Sequence, residues 1–160
     1  MIRFERTSDM ELVQSVMRHP KIYPHLTDDG CPPAEEFQPM DHPAIWYVLV
    51  FDADELLGLW MFVPENAVCW CVHTCLLPVA WGRAREAAVQ MAVWIWTNTP
   101  CRRLVTMVPV RNRLALKLAE AAGMQRYGLN KNSFLKHGKL QDQILLGLSP
   151  TEETPCQQHR

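Results

Sequence analysis

Residues 67–97 read AVCWCVHTCLLPVAWGRAREAAVQMAVWIWT. The first eleven are dense in Val, Cys, Trp and Leu, the composition of a strand set in a sheet, and Pro78 closes the run. From residue 83 the composition changes to strong helix formers. Ala84, Ala88, Met91, Ala92 and Ile95 recur on one face, which predicts a helix over 83–97. A short apolar strand follows at 104–108 and stops at Pro109. Arg111-Asn112 then open a second helix with Leu114, Ala115, Leu118 and Ala122 on one face, and Gly123 supplies its C-terminal stop. The segment is therefore a βαβα unit.

Outward from this unit, residues 46–51 and 56–63 are rich in β-branched and aromatic residues around a polar turn, Asp52-Ala53-Asp54-Glu55, and predict a hairpin. Residues 124–135 and 140–148 predict two more strands around the turn pair His137-Gly138. Ile2 and Phe4 alternate with charged neighbours as an opening strand would. Thr7-Ser8-Asp9 offers the N-cap of a helix over 9–18. Pro20, Pro24, Pro32, Pro33, Pro39 and Pro43 make residues 19–43 a loop with one short helical turn. Early hairpins followed by a βαβα unit predict an α+β fold: a mixed, mostly antiparallel sheet of six to seven strands flanked by helices. Residues 1–148 form one domain and residues 149–160 a polar tail.

Length and composition narrow the function classes. A chain of 160 residues with 48% apolar content supports one core. The net charge of −1 carries no basic stripe, which argues against nucleic acid. Lys136, His137 and Lys139 surround a glycine and read as a solvated turn. The N-terminus lacks the apolar core of a secretory signal, and no apolar run is long enough to span a bilayer. Six cysteines without a signal predict free thiols in a reducing cytoplasm.

The segment Asn112-Arg113-Leu114-Ala115 through Ala122-Gly123-Met124, followed by Tyr127-Gly128, Lys131, His137-Gly138 and Asp142, resembles the GNAT superfamily of N-acetyltransferases. Within it the spacing is similar to the branch that acetylates ribosomal-protein N-termini and antibiotics. Pro78-Val79-Ala80-Trp81-Gly82-Arg83-Ala84 resembles the loop with which that family cradles the pyrophosphate of acetyl-CoA. The resemblance implies the GNAT fold, acetyl-CoA or CoA as cofactor, and an amine acceptor, small molecule or protein. It implies cofactor contacts from Leu76, Leu77, Trp81, Gly82, Arg83, Ala84, Arg85 and Asn112. The underlying physics is general: a helix N-terminus presents unpaired N–H groups and the positive end of the helix dipole, and small residues let phosphates approach. This chain departs from the family pattern at two places. In the loop, an alignment from Val79 keeps Gly82 and Ala84 but lacks the family's basic residue, whereas one from Trp81 puts Glu86 at the last small position; beyond the loop, Ala119 stands where many members carry a proton-donating Tyr. The whole chain also resembles a small GNAT subgroup encoded among the structural genes of tailed phages, through His19-Pro20-Lys21-Ile22-Tyr23 with Asp28-Asp29, His73-Thr74 with Leu77-Pro78, and Gly138 with Asp142. That subgroup is associated with head or virion assembly, which implies a non-catalytic alternative in a host cytoplasm or virion. The GNAT resemblance implies a homodimer as a partner state, and the phage subgroup implies virion assembly partners.

Amine acylation needs a general base. On a strand, Cys69, Cys71, His73 and Cys75 share one face. His73 is the candidate base, with an ordinary pKa near neutrality. Asp29, with Asp28 beside it, is the second candidate, on the acceptor side of the cleft that the resemblance implies. The pattern Cys-x-Cys-x-His-x-Cys also suggests a metal, but same-face neighbours on one strand lie about 6.6 Å apart. Zinc ligands lie only about 2.0–2.3 Å from the ion, so one regular strand cannot enclose it and no metal is expected. Trp94 and Trp96 cannot share a helix face, which predicts that one is exposed and marks a partner surface.

Overall fold

Strand periodicity decides the layers. Along β4 (Cys69–Leu76), Trp70, Val72 and Leu76 enter one buried cluster while Cys75 enters another on the opposite face. Each face must therefore be covered, and helices cover both. The computed structural model describes residues 1–151. Its remaining elements are β1 (Ile2–Thr7), α1 (Met10–Met17), α2 (Tyr23–Leu26), β2 (Trp46–Asp52), β3 (Glu55–Pro64), a 3₁₀ helix (Pro78–Arg83), α3 (Ala84–Asn98), β5 (Arg103–Pro109), α4 (Arg113–Ala121), β6 (Gln125–Lys136) and β7 (Lys139–Leu148). The seven strands form one sheet in the order β1-β2-β3-β4-β5-β7-β6. Every neighbouring pair is antiparallel except β4 and β5, which the α3 crossover makes parallel. The expected α+β architecture with a mixed, mostly antiparallel sheet is the one observed.

On one face α3 supplies Ala87, Ala88, Met91, Ala92, Ile95 and Trp96 to a core shared with Val48, Trp60, Phe62 and Leu104. On the other, α1 packs Val13, Val16 and Met17 on Leu49, Leu59 and Met61. α4 lies on the α3 side, where Leu116 packs with Val108 and Leu146. Leu114, expected on the inner face of α4, is exposed, and Leu116 is the buried leucine. Leu114 belongs to the first turn of the helix, immediately beyond the end of β5.

Local chemistry accounts for the element ends. Asp9 caps α1 by accepting from the Leu12 N–H at 3.0 Å, as the sequence predicts. His137 and Gly138 both take positive φ, 53° and 67°, which closes the β6–β7 hairpin. A bulge in β3 leaves Leu57 unopposed, because Phe51 pairs with Leu56 and Val50 with Gly58. Gly58 has φ of 133°, and a Cβ there would lie 2.3 Å from the Cys75 carbonyl oxygen. Only glycine lets this bulge close against the end of β4.

Two expectations change. Residues 78–83 are a 3₁₀ helix rather than an open loop. Pro78 sits at its first turn, and the fully buried Ala80 anchors it to the core. Trp96 is buried and Trp94 packs on Phe4 with ring centroids 6.2 Å apart, so neither is the exposed indole; Trp81, 57% exposed, is. Of the tail, Ser149 is tied back through a hydrogen bond from Arg103, and residues 152–160 lie outside the described part. Among the described residues, Cys31, Cys69, Cys71, Cys75 and Cys101 are free thiols, and no helix is long and apolar enough to cross a membrane.

Candidate functional site

The two parallel strands separate. β4 and β5 pair only through Cys69–Arg103, Trp70–Leu104 and Cys71–Val105. Beyond that point β4 runs on to Leu76 beside β3, while β5 runs on to Pro109 beside β7. The edge of β4 from Val72 to Leu76 that faces away from β3 thus has no strand neighbour. A wedge-shaped gap opens at the carboxyl ends of this parallel pair, the place where α/β sheets accept ligands. The 3₁₀ helix and the first turn of α3 stand at the end of one wall, and Asn112 with the first turn of α4 stands at the end of the other. Leu76 and Leu77 end the first wall, and the Leu77 N–H donates to the Leu57 carbonyl at 2.9 Å.

His73 lies on the splayed part of β4 and is half-buried. Its Nε2 is 3.6 Å from Cys71 Sγ, two residues back on the same face. Burial alone moves the His73 pKa below its ordinary 6.5, so the ring is neutral at pH 7. Desolvation, reinforced by Glu65, pushes the Cys71 thiol up to about 11, so it remains a thiol. Met107, two residues past the last position of β5 paired with β4, is exposed. Among the described residues no group of three or more His, Cys, Asp or Glu side chains could hold a metal ion.

Along the start of α3, an open, shallow cavity of 440 Å³ is lined by Gly82, Arg83, Arg85, Glu86, Val89 and Gln90. A Cβ on Gly82 would meet nothing within 4 Å, so nothing in the protein itself requires glycine there. The two arginines expected to face phosphate are already engaged. Arg83 grips Glu86 through Nε and Nη2 at 3.1 and 3.0 Å and donates through Nη1 to Asp52. Arg85 donates through Nε to the Ala121 carbonyl at 3.1 Å and so links α3 to the end of α4. Ala84 opens α3, and Trp81 projects outward from the turn before it. Asn112 caps α4, its side-chain oxygen accepting from the Ala115 N–H at 3.2 Å.

Asp29 binds the β6–β7 turn. Its two carboxylate oxygens accept the backbone N–H groups of His137 and Gly138 at 2.9 and 2.7 Å. The Lys136 ammonium donates to the Thr27 carbonyl at 2.6 Å, and the Asp29 N–H to Leu135 at 3.0 Å. The proline-rich loop is thereby fastened to the β6–β7 hairpin. The bonds from Gly138 and His137 hold the Asp29 carboxyl below its ordinary range, which makes it a weaker base. Asp28 turns inward on its own loop and accepts from the Gly30 N–H.

Sequence reading missed Asp52 altogether. It was placed in a hairpin turn, yet it ends β2 and holds both the Met1 ammonium, at 2.9 Å, and Arg83. No local pattern could reveal this, because Asp52 and Arg83 are 31 positions apart and meet only through the sheet. The Cys71–His73 contact, by contrast, was present in the two-residue spacing.

No protein-family model matches the chain, and no curated protein matches it by sequence. Solved structures do match. A spermidine N-acetyltransferase from Vibrio cholerae, crystallised with CoA and spermine, superposes with a TM-score of 0.75 at 18% identity, over 92% of this chain and 95% of that one. A ribosomal-protein-S5-alanine acetyltransferase from Vibrio fischeri superposes with a TM-score of 0.70 at 16% identity, over 96% and 93%. The chain therefore has the fold of the GNAT acetyltransferases.

Proposed function

We propose that this protein is an acetyl-CoA-dependent N-acetyltransferase acting on an amine acceptor, a small molecule or a protein N-terminus. The observation that carries the reading is the separation of β4 from β5 beneath two helix N-termini. It gives an extended ligand a free strand edge along Val72–Leu76 and gives phosphates an unobstructed approach at Gly82. These features fit CoA: the free edge of β4 up to Leu76 would hold its extended arm, with the Leu77 backbone bonded to Leu57 and Ala80 behind it, and the turn from Trp81 to Arg85 its phosphates. Bound acetyl-CoA supplies an activated acetyl thioester. His73, neutral at pH 7, takes the proton from the acceptor amine. With Nε2 turned to the Cys71 thiol, Nδ1 is the ring nitrogen left for the acceptor, and it takes the amine proton in the tautomer that carries hydrogen on Nε2. Ala119 has no proton to give, so protonated His73 is the acid that this face of the cleft offers. Asn112 keeps its capping role at the other wall.

A second reading rests on a specific observation. Both phosphate-side arginines are committed to partners within the chain, and the α4 position of the usual phenol is Ala119. In that reading the GNAT fold is reused without catalysis, as an assembly component of a phage head or virion. Calorimetry with acetyl-CoA separates the two. Micromolar binding that Gly82→Glu abolishes, with Tm unchanged, supports the enzyme. Absence of binding at millimolar acetyl-CoA removes the enzyme and leaves the assembly role.

A further inference from the structure

Arg83 sits in a four-membered charge chain that runs from Met1 into the cavity. The Met1 ammonium holds one oxygen of Asp52 at 2.9 Å, and the other oxygen of Asp52 holds Arg83 Nη1. Arg83 turns its Nε and Nη2 to the two oxygens of Glu86, and Gln90 donates to Glu86 at 3.2 Å. The two carboxylates occupy different places. Glu86 lines the cavity beside Gly82, whereas Asp52 lies outside that lining, at the end of a strand fixed on both sides by pairing. An anion entering the cavity therefore meets Arg83 and Glu86 together, since both line it. It meets Arg83 from the side that Glu86 now covers.

We infer that Arg83 is a phosphate-binding residue under internal competition: Glu86 masks it in the free protein and is displaced by the phosphate groups of the ligand, while Asp52, itself anchored by the Met1 ammonium, keeps the guanidinium aimed into the cavity. Glu86 is thus a determinant of cofactor affinity, and Asp52 is a positioning residue. The bidentate grip explains how a carboxylate is tolerated in a phosphate loop. It makes a neutral pair with Arg83, and its position in the first turn of α3 suits the helix dipole. Exchange of Glu86 for phosphate replaces one bidentate anion by another of higher charge, so the guanidinium is satisfied in both states. Both carboxylates lie below their ordinary pKa range through their bonds to Arg83, Asp52 at about 2, so the competition is present throughout the physiological pH range.

The inference rests on the cofactor reading above, and the test separates the two. CoA binding is measured by calorimetry, and Tm without ligand, for the full chain and for Glu86→Gln, Asp52→Asn, Arg83→Met and the double variant Arg83→Met/Glu86→Gln. The expected result is that Glu86→Gln binds CoA about fivefold more tightly, the effect of removing one charge beside a polyanion at the protein surface. Asp52→Asn binds several-fold more weakly, and Arg83→Met in the double variant removes most of the gain. Unchanged or weaker binding by Glu86→Gln, in a protein that binds CoA and keeps its Tm, overturns the inference and leaves the cofactor reading standing. A gain that persists in full without Arg83 overturns the masking and leaves only direct repulsion by Glu86. If neither the unaltered protein nor Glu86→Gln binds CoA at millimolar concentration, the cofactor reading fails and the inference falls with it.

Discussion

His73 and Asp29 entered the sequence reading as two candidate bases, and their neighbours separate them. His73 is half-buried with its pKa lowered by desolvation, so it is an uncharged acceptor at neutral pH. Asp29 spends both oxygens on the backbone of the hairpin turn and is held below its ordinary range. His73→Ala is expected to lower kcat/KM about a hundredfold or more, the usual contribution of a general base. In the unaltered enzyme, kcat/KM should rise with pH through a midpoint below 6.5 and be level by pH 7. A steady-state pH profile checks both, and a profile that His73→Ala leaves in place would assign the base elsewhere. Asp29→Ala is expected to leave that midpoint unmoved while amide exchange at His137 and Gly138 accelerates, read by NMR. The residue types and the strand face of His73 were legible in sequence, since alternation is a local rule. The use of Asp29 was not, because its partners lie 108 and 109 positions away.

At the scale of elements, periodicity and caps carried most of the information. α3 was predicted over 83–97 and spans Ala84–Asn98, because its apolar face and the extended Thr99 before Pro100 are both local signals. The start of α4 at Asn112 was equally legible, since Asn is a preferred N-cap. Asn112→Ala is expected to cost about 1 kcal/mol in urea unfolding, the usual loss for a cap. If Asn112 also reaches the cofactor, CoA affinity falls in addition, and calorimetry on the folded variant reads that part separately. The inner face of α4 was misassigned to Leu114, because three leucines at alternate positions, 114, 116 and 118, do not by themselves say where the sheet ends beneath the helix. The 3₁₀ helix at Pro78–Arg83 was read as an open loop for a similar reason. Its geometry depends on Ala80 being drawn into a core assembled from distant strands.

For the whole molecule, the ionisable groups predict how stability follows pH. The unfolded chain protonates His73 near 6.5 and the folded chain only below that, so the unfolded state binds more protons in this window. Stability contributed by neutral His73 is present above pH 6.5 and is lost as pH falls toward the folded value. Asp29, Asp52 and Glu86 have folded values below their ordinary 3.8, 3.8 and 4.5. Their contribution is present above those values and is lost as pH falls through the folded ones. Tm should therefore be level near neutrality, decline first below pH 6.5 and again below about pH 4.5. Calorimetric scans of the unaltered chain and of His73→Gln check this: the variant should lose the first decline and keep the second. The sequence by itself determined the order of strands and helices, the crossover that makes β4 and β5 parallel, and the residue types near the gap. All of these follow from short-range periodicity, turn chemistry and chain connectivity. Only the tertiary structure decided that β4 and β5 part after Cys71, that Asp52 and Glu86 hold Arg83, and that Asp29 serves the hairpin. Those outcomes depend on which partners a folded backbone brings within hydrogen-bond distance. A side chain reaches only a few ångströms, whereas the sequence separations involved run to more than a hundred residues.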